Sequence, residues 1–139
     1  MNKVFNIGLI GCGHISETYF RGHEYFNNFK IIKCADLNKE ASSKCAQDYN
    51  IISSTVDELL NDPEIEIILN LTIPKAHYEV AKNSLESGKH VYSEKPMAVN
   101  FSDGENLLEI SKSKNLSIGN APDTFLGGGI QKSIALINE

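Results

Sequence analysis

Two glycines one residue apart, Gly11 and Gly13, stand where an apolar run gives way to a helical pattern, in Gly8-Leu9-Ile10-Gly11-Cys12-Gly13-His14-Ile15-Ser16. Gly11 permits a tight turn, and Gly13 lets the backbone approach a bulky anion with no Cβ in the way. Free N–H groups and the positive dipole end of a following helix would complete a cradle for a pyrophosphate. The third position of the G-x-G-x-x-G pattern is Ser16, small enough to loosen the match without spoiling helix–strand packing. A bare G-x-G is better read as a turn with no ligand; here the flanking strand and helix favour a dinucleotide. The matching carboxylate is Asp36, which closes KIIKCAD 23 residues beyond Gly13. It is placed to accept from the adenosine ribose hydroxyls and to repel a 2′-phosphate, which favours NAD, while Lys39 leaves NADP open. The plainer role for Asp36 is to cap the helix that starts near Asn38.

Two further groups carry chemistry. Asn70-Leu71-Thr72-Ile73-Pro74, followed by His77, falls at a strand end and helix start, with Thr72 able to hydrogen-bond a cofactor. Thr-x-Pro alone marks a helix start, and a lone histidine is more often structural. Ser93-Glu94-Lys95-Pro96 ends another strand. The Lys95 ammonium there could stabilise a developing alkoxide or relay a proton; an exposed charge pair at a strand end is the competing reading. Glu94 is expected on the other strand face from Lys95, and Pro96 is a candidate for a cis peptide bond.

The elements that must position these groups alternate along the chain. Apolar runs at 4–10, 29–35, 51–53, 65–71, 89–93 and 116–119 read as strands. Helical patterns at 15–26, 37–49, 56–61, 74–87, 102–113 and 130–137 lie between and after them. Parallel strands need helical crossovers, so the fold class is α/β: a doubly wound parallel sheet, helices on both faces. The 139 residues suffice for one domain with its own core. Hydrophobic residues at 41% and charged ones at 22% are ordinary for a soluble protein. Eighteen acidic against 13 basic residues, net −5, argue against a nucleic-acid partner. No run approaches a bilayer span, so no membrane partner is expected. VFNIGLIGCG reads as a buried strand and turn rather than a signal sequence. Three cysteines, Cys12, Cys34 and Cys45, with no C-x-x-C, point to a reducing cytoplasm and no disulfide framework. No metal-ligand spacing is present, and Cys12 reads as a small filler against the turn.

In combination and in this order, GLIGCGHIS, the Asp36 strand end, LTIPKAHYEVAKNSLESGKHVYSEKP and, more weakly, NAPDTFLGGGIQ resemble the Gfo/Idh/MocA oxidoreductase family. The resemblance covers essentially the whole chain. It implies an NAD(P)-binding Rossmann domain at 1–120, with 121–139 as a connecting loop and helix. It implies hydride transfer to or from a small sugar, cyclitol or related hydroxyl compound. On it, Gly11, Cys12, Gly13, His14 and Ile15 line the pyrophosphate and Asp36 reads the ribose. Thr72, Pro74 and His77 contact the cofactor, Glu94 lies by the nicotinamide, and Lys95 is the catalytic lysine.

Ala121–Gly129 is similar to a subgroup signature of the family, although Lys132 stands after Gln131 where that subgroup has threonine. The resemblance also implies a C-terminal α+β domain that supplies much of the substrate pocket and the interface of a homo-oligomer. None of it lies in these residues, and His14, His23, His77 and His90 do not replace it by position. The chain is therefore expected to be a fragment that binds cofactor and turns over little. Two other readings stay open: a family member that uses NAD in a net glycoside hydrolysis, and a dinucleotide-binding sensor without catalysis.

Overall fold

The computed structural model describes residues 3–22, 25–121 and 127–138. His23 and residues 122–126 of the expected subgroup signature lie outside them. Six strands form one sheet: β1 Phe5–Ile10, β2 Phe29–Ala35, β3 Ile52–Ser53, β4 Ile67–Asn70, β5 His90–Ser93 and β6 Ile118–Asn120. The helices are α1 Ser16–Gly22, α2 Lys39–Tyr49, α3 Val56–Leu60, α4 Pro74–Glu86, α5 Phe101–Ser113 and α6 Gly128–Ile137. Every strand pairing is parallel. The order is β3-β2-β1-β4-β5-β6, the doubly wound arrangement in which the chain leaves the centre first one way and then the other. The ends of β1 and β4, side by side, therefore flank the point where the winding reverses.

Alternation along the central strand sorts the core into two layers. Ile7 and Leu9 pack with Phe20, Cys34, Cys45, Leu69 and Leu71 on one face. Ile10 packs with Ala35, Leu59, Leu60, Ile65 and Ile68 on the other. Gly8 belongs to that second face: a Cβ there would meet Leu59 Cδ2 at 2.5 Å and Ile65 Cδ1 at 3.0 Å, so the missing side chain is what seats Leu59. Ala81, Leu85, Val91 and Leu107 fill the space between α4, α5 and β5.

Local chemistry sets the helix starts. Asn38 accepts from the Glu40 and Ala41 N–H groups at the head of α2, so it, and not Asp36, is the cap. Thr55 and Glu58 form a reciprocal capping box on α3, and Pro74 opens α4. At the amino edge of the sheet Lys33 pairs with Asp62, while the buried Lys89 ammonium donates to the Asp62 and Ile65 carbonyls at 2.5 and 2.8 Å. No residue of α6 is buried, and Ile130, Ile134, Leu136 and Ile137 are exposed along it. Among the described residues no helix is long and apolar enough to cross a membrane.

Candidate functional site

The turn after β1 is held by backbone. Gly11 has φ +102°, a conformation open to glycine and strained for any L side chain. A Cβ at Gly11 would stand 2.7 Å from the Leu71 carbonyl carbon and oxygen and 2.8 Å from the Thr72 nitrogen, so the loop lies directly against the end of β4. A Cβ at Gly13 would meet nothing within 4 Å. Gly13, His14 and Ile15 are exposed, and their main-chain N–H groups have no acceptor among the described residues. Three consecutive free donors beside an open glycine are what a pyrophosphate requires, and the cradle fits the group.

Asp36 closes this loop from beneath. Its carboxylate accepts from the Cys12 N–H at 2.7 Å with one oxygen and from the Asn38 N–H at 2.8 Å with the other. Each oxygen retains a lone pair for a ribose hydroxyl. The Cys12 N–H is thereby engaged within the protein, and its thiol points back to the Ala35 carbonyl at 3.7 Å. Cys12 thus supports the loop from behind rather than offering a donor to an anion.

Across the reversal point a second cluster is built from side chains. Asn70, fully buried at the end of β4, donates to the His77 carbonyl at 3.0 Å and to Ser93 Oγ at 3.3 Å, and accepts from the Thr72 hydroxyl at 2.7 Å. His77 is buried as well; Nδ1 lies 2.5 Å from the Pro96 carbonyl oxygen and Nε2 2.8 Å from that of Thr72. The ring bridges the two loops, with both nitrogens engaged by main chain. From β6, Asn120 donates to the Ser93 and Glu94 carbonyls at 3.0 and 2.9 Å. The backbone carrying Lys95 is therefore gripped from three sides. The Lys95–Pro96 bond is cis, as expected. Lys95 itself is exposed, with no ion-pair partner among the described residues.

Glu94 Oε1 accepts from the Tyr19 hydroxyl of α1 at 2.6 Å, and Oε2 accepts from the Lys95 N–H at 3.2 Å. An open cleft of about 950 Å³ runs between these parts, lined among others by Ile15, Tyr19, Leu71, Thr72, Glu94 and Lys95. The glycine loop, Thr72, Glu94 and Lys95 thus share one edge of the sheet. Pro74 sits there as the exposed first residue of α4, and His77 lies beneath it. Three residues of this edge carry structural roles that sequence spacing did not mark: Tyr19, Asn70 and Asn120. Tyr19 reads as one more apolar helical position, Asn70 as an interior residue of the strand 65–71, and Asn120 as the residue after the strand 116–119.

A family profile described as an oxidoreductase family with an NAD-binding Rossmann fold matches residues 5–120. An uncharacterised oxidoreductase of Schizosaccharomyces pombe is 35% identical over 95 residues, 66% of this chain and 26% of that protein. The inositol 2-dehydrogenase of Azotobacter vinelandii is 30% identical over 108 residues, 75% of this chain and 32% of that protein. The chain thus spans about a quarter to a third of the length of these curated relatives. Among solved structures, a Clostridium difficile dehydrogenase superposes with a TM-score of 0.77 at 30% identity, over 84% of this chain and 39% of that one.

Proposed function

The chain belongs to this oxidoreductase family, the Gfo/Idh/MocA group, and from that premise we propose that it is the cofactor half of a dehydrogenase acting on a sugar- or cyclitol-like hydroxyl compound. The observation that carries the reading is the shared sheet edge, where a glycine cradle with three free N–H groups follows β1 and an unpaired lysine follows β5, with Ile15 of the cradle and Lys95 lining one cleft. Gly11, Gly13, His14 and Ile15 hold the pyrophosphate, Asp36 the adenosine ribose, and Thr72 with Pro74 the wall between the two nucleotide halves. The negative charge of Asp36 opposes a 2′-phosphate, so NAD is the preferred dinucleotide over NADP. When bound, that group supplies or takes up a hydride at its nicotinamide ring.

The remaining chemistry belongs to the protein's own side chains. Lys95 Nζ donates to the substrate oxygen, stabilises the negative charge that grows there, and passes the proton on. Glu94, oriented by Tyr19, forms the wall beside the reacting carbon. His77, Asn70 and Asn120 fix the main chain from Ser93 to Pro96, and so fix where that ammonium sits. Exclusion of water and orientation of the substrate call for a second wall, which this edge leaves open.

Fluorescence titration of this chain with NADH and NADPH tests the cofactor reading. NADH is expected to bind more tightly, and absence of binding by both overturns the reading. For the reaction, a panel of polyols and sugars is assayed with the protein carrying its substrate-binding part. Lys95→Ala should lower kcat by about 10²–10⁴, the usual worth of a positioned proton donor.

A further inference from the structure

Beneath the glycine loop three sulfurs meet. Cys12 comes from the loop after β1, Cys34 from β2 and Cys45 from α2, and their Sγ atoms all lie within 4.8 Å of one another. They are 22 and 11 residues apart in sequence, a spacing that matches no familiar metal motif, and the parallel pairing of β1 with β2 together with the packing of α2 on β2 brings them together. Cys34 is fully buried and Cys45 nearly so; Cys12 is half-buried and gives the cluster its outlet.

The surroundings are apolar: Leu9, Phe20, Ala46, Leu69 and Leu71 pack around the trio. The polar contacts of these thiols outside the trio are weak S–H bonds to carbonyls, Cys34 to Ser42 at 3.4 Å and Cys12 to Ala35 at 3.7 Å. The three also act on one another. Hydrogen bonding from Cys12 pulls the Cys34 thiol below its ordinary value; that same pairing and burial push Cys12 up, and burial raises Cys45 to about 12. The charged neighbours that act on them, Asp36 and Asp48, are both acidic.

We propose that Cys12, Cys34 and Cys45 form a binding site for a thiophilic closed-shell metal cation, Zn(II) or Cu(I). Thiolate ligands select these ions over hard cations. Zinc–sulfur bonds of about 2.3 Å place tetrahedral ligands about 3.8 Å apart, so sulfurs already within 4.8 Å need close by no more than about 1 Å. Three sulfurs complete the trigonal site of Cu(I). For Zn(II) a water on the open Cys12 side makes the fourth ligand. Binding releases the thiol protons to solvent and moves no electrons. Occupancy would tie the loop, β2 and α2 through one centre, a link independent of the dinucleotide.

These are all three cysteines of the chain, so thiol chemistry reports on the trio alone. The test uses the reduced chain in a non-thiol, non-chelating reductant, with Zn(II) and Cu(I) in separate titrations against a chromophoric competitor. Thiol alkylation is followed in parallel with and without metal. The expected result is one equivalent of at least one of the two ions per chain, with the half-buried Cys12 thiol protected from alkylation only when metal is present. The arm that binds identifies the ion. Cys34→Ala and Cys45→Ala, which keep small apolar side chains in the core, should each weaken binding by more than about tenfold, since loss of an outer hydrogen bond alone costs about that much. The wild-type protection experiment does not depend on those variants folding. Failure of both ions to bind, or binding that survives in the triple alanine variant, would overturn the proposal and leave the trio as core packing.

Discussion

The two sides of the winding reversal are built from different materials. On the β1–β2 side the cradle is main chain: glycines, free N–H groups, and one carboxylate fastening Cys12 to Asn38. On the β4–β5–β6 side the Ser93–Pro96 segment is held by Asn70, His77 and Asn120, two of them fully or almost fully buried. The difference follows from what each side presents. On the proposed function the first side grips an anion, and such a surface must leave its donors unpaired, so it is shaped by backbone conformation. On the same proposal the second side holds one flexible lysine in place, which needs a rigid floor, and a fully satisfied buried polar network supplies it.

The contrast can be broken experimentally, and the largest effect is expected at Gly11. Gly11→Ala combines a strained φ with collision against the Leu71–Thr72 backbone. It should cost about 3 kcal/mol or more in urea denaturation. Next comes Asn70→Leu, which leaves the Thr72 hydroxyl, Ser93 and the His77 carbonyl without their partner. A loss of about 2–3 kcal/mol is expected, with amide exchange quickening around Glu94 and Lys95 first. Gly13→Ala sharpens the comparison from the other direction. The space is open, so the melting temperature should hold while NADH affinity falls about tenfold, or about 1.4 kcal/mol; a drop in stability instead would show the cradle to be a structural turn.

The smallest effect lies at the amino edge, away from both surfaces. There a hydrogen bond from Lys33, reinforced by the Glu64 N–H, holds the Asp62 carboxyl below its usual range. A depressed folded value stabilises fully above the unfolded carboxylate pKa, near about 4, and the contribution disappears as pH falls through the lower folded value. Asp62→Asn should therefore flatten the acid limb of the stability profile and leave NADH binding at neutral pH unchanged.

The alternation of elements was legible in the sequence because strands buried on both faces are short apolar runs. Their ends were not. Ile65 and Leu71 are buried, so apolarity extends past β4, whose ladder runs only from Ile67 to Asn70. Gly128 and Gly129 read as loop and instead open α6. The glycine loop and Asp36 could be read because their spacing is fixed by one β–α–β unit. Tyr19 and Glu94, 75 residues apart, could not, since their meeting depends on how α1 lies over β5. The sulfur trio escaped for the same reason: each cysteine alone is an ordinary small core residue. His77 carried a local signal, but only its neighbours reveal that both ring nitrogens face carbonyls.

Two glycines of β1 and its turn have different prospects under mutation and inheritance. At Gly8 the obstacle to a side chain is another side chain, Leu59, with Ile65 behind it. A smaller residue at position 59 could restore the space, so the two sites can drift as a pair. At Gly11 the obstacle is main chain, which every amino acid carries. No second change of side chain can clear it. Descendants of this sequence can explore the first position in company, whereas the second has no compensating partner.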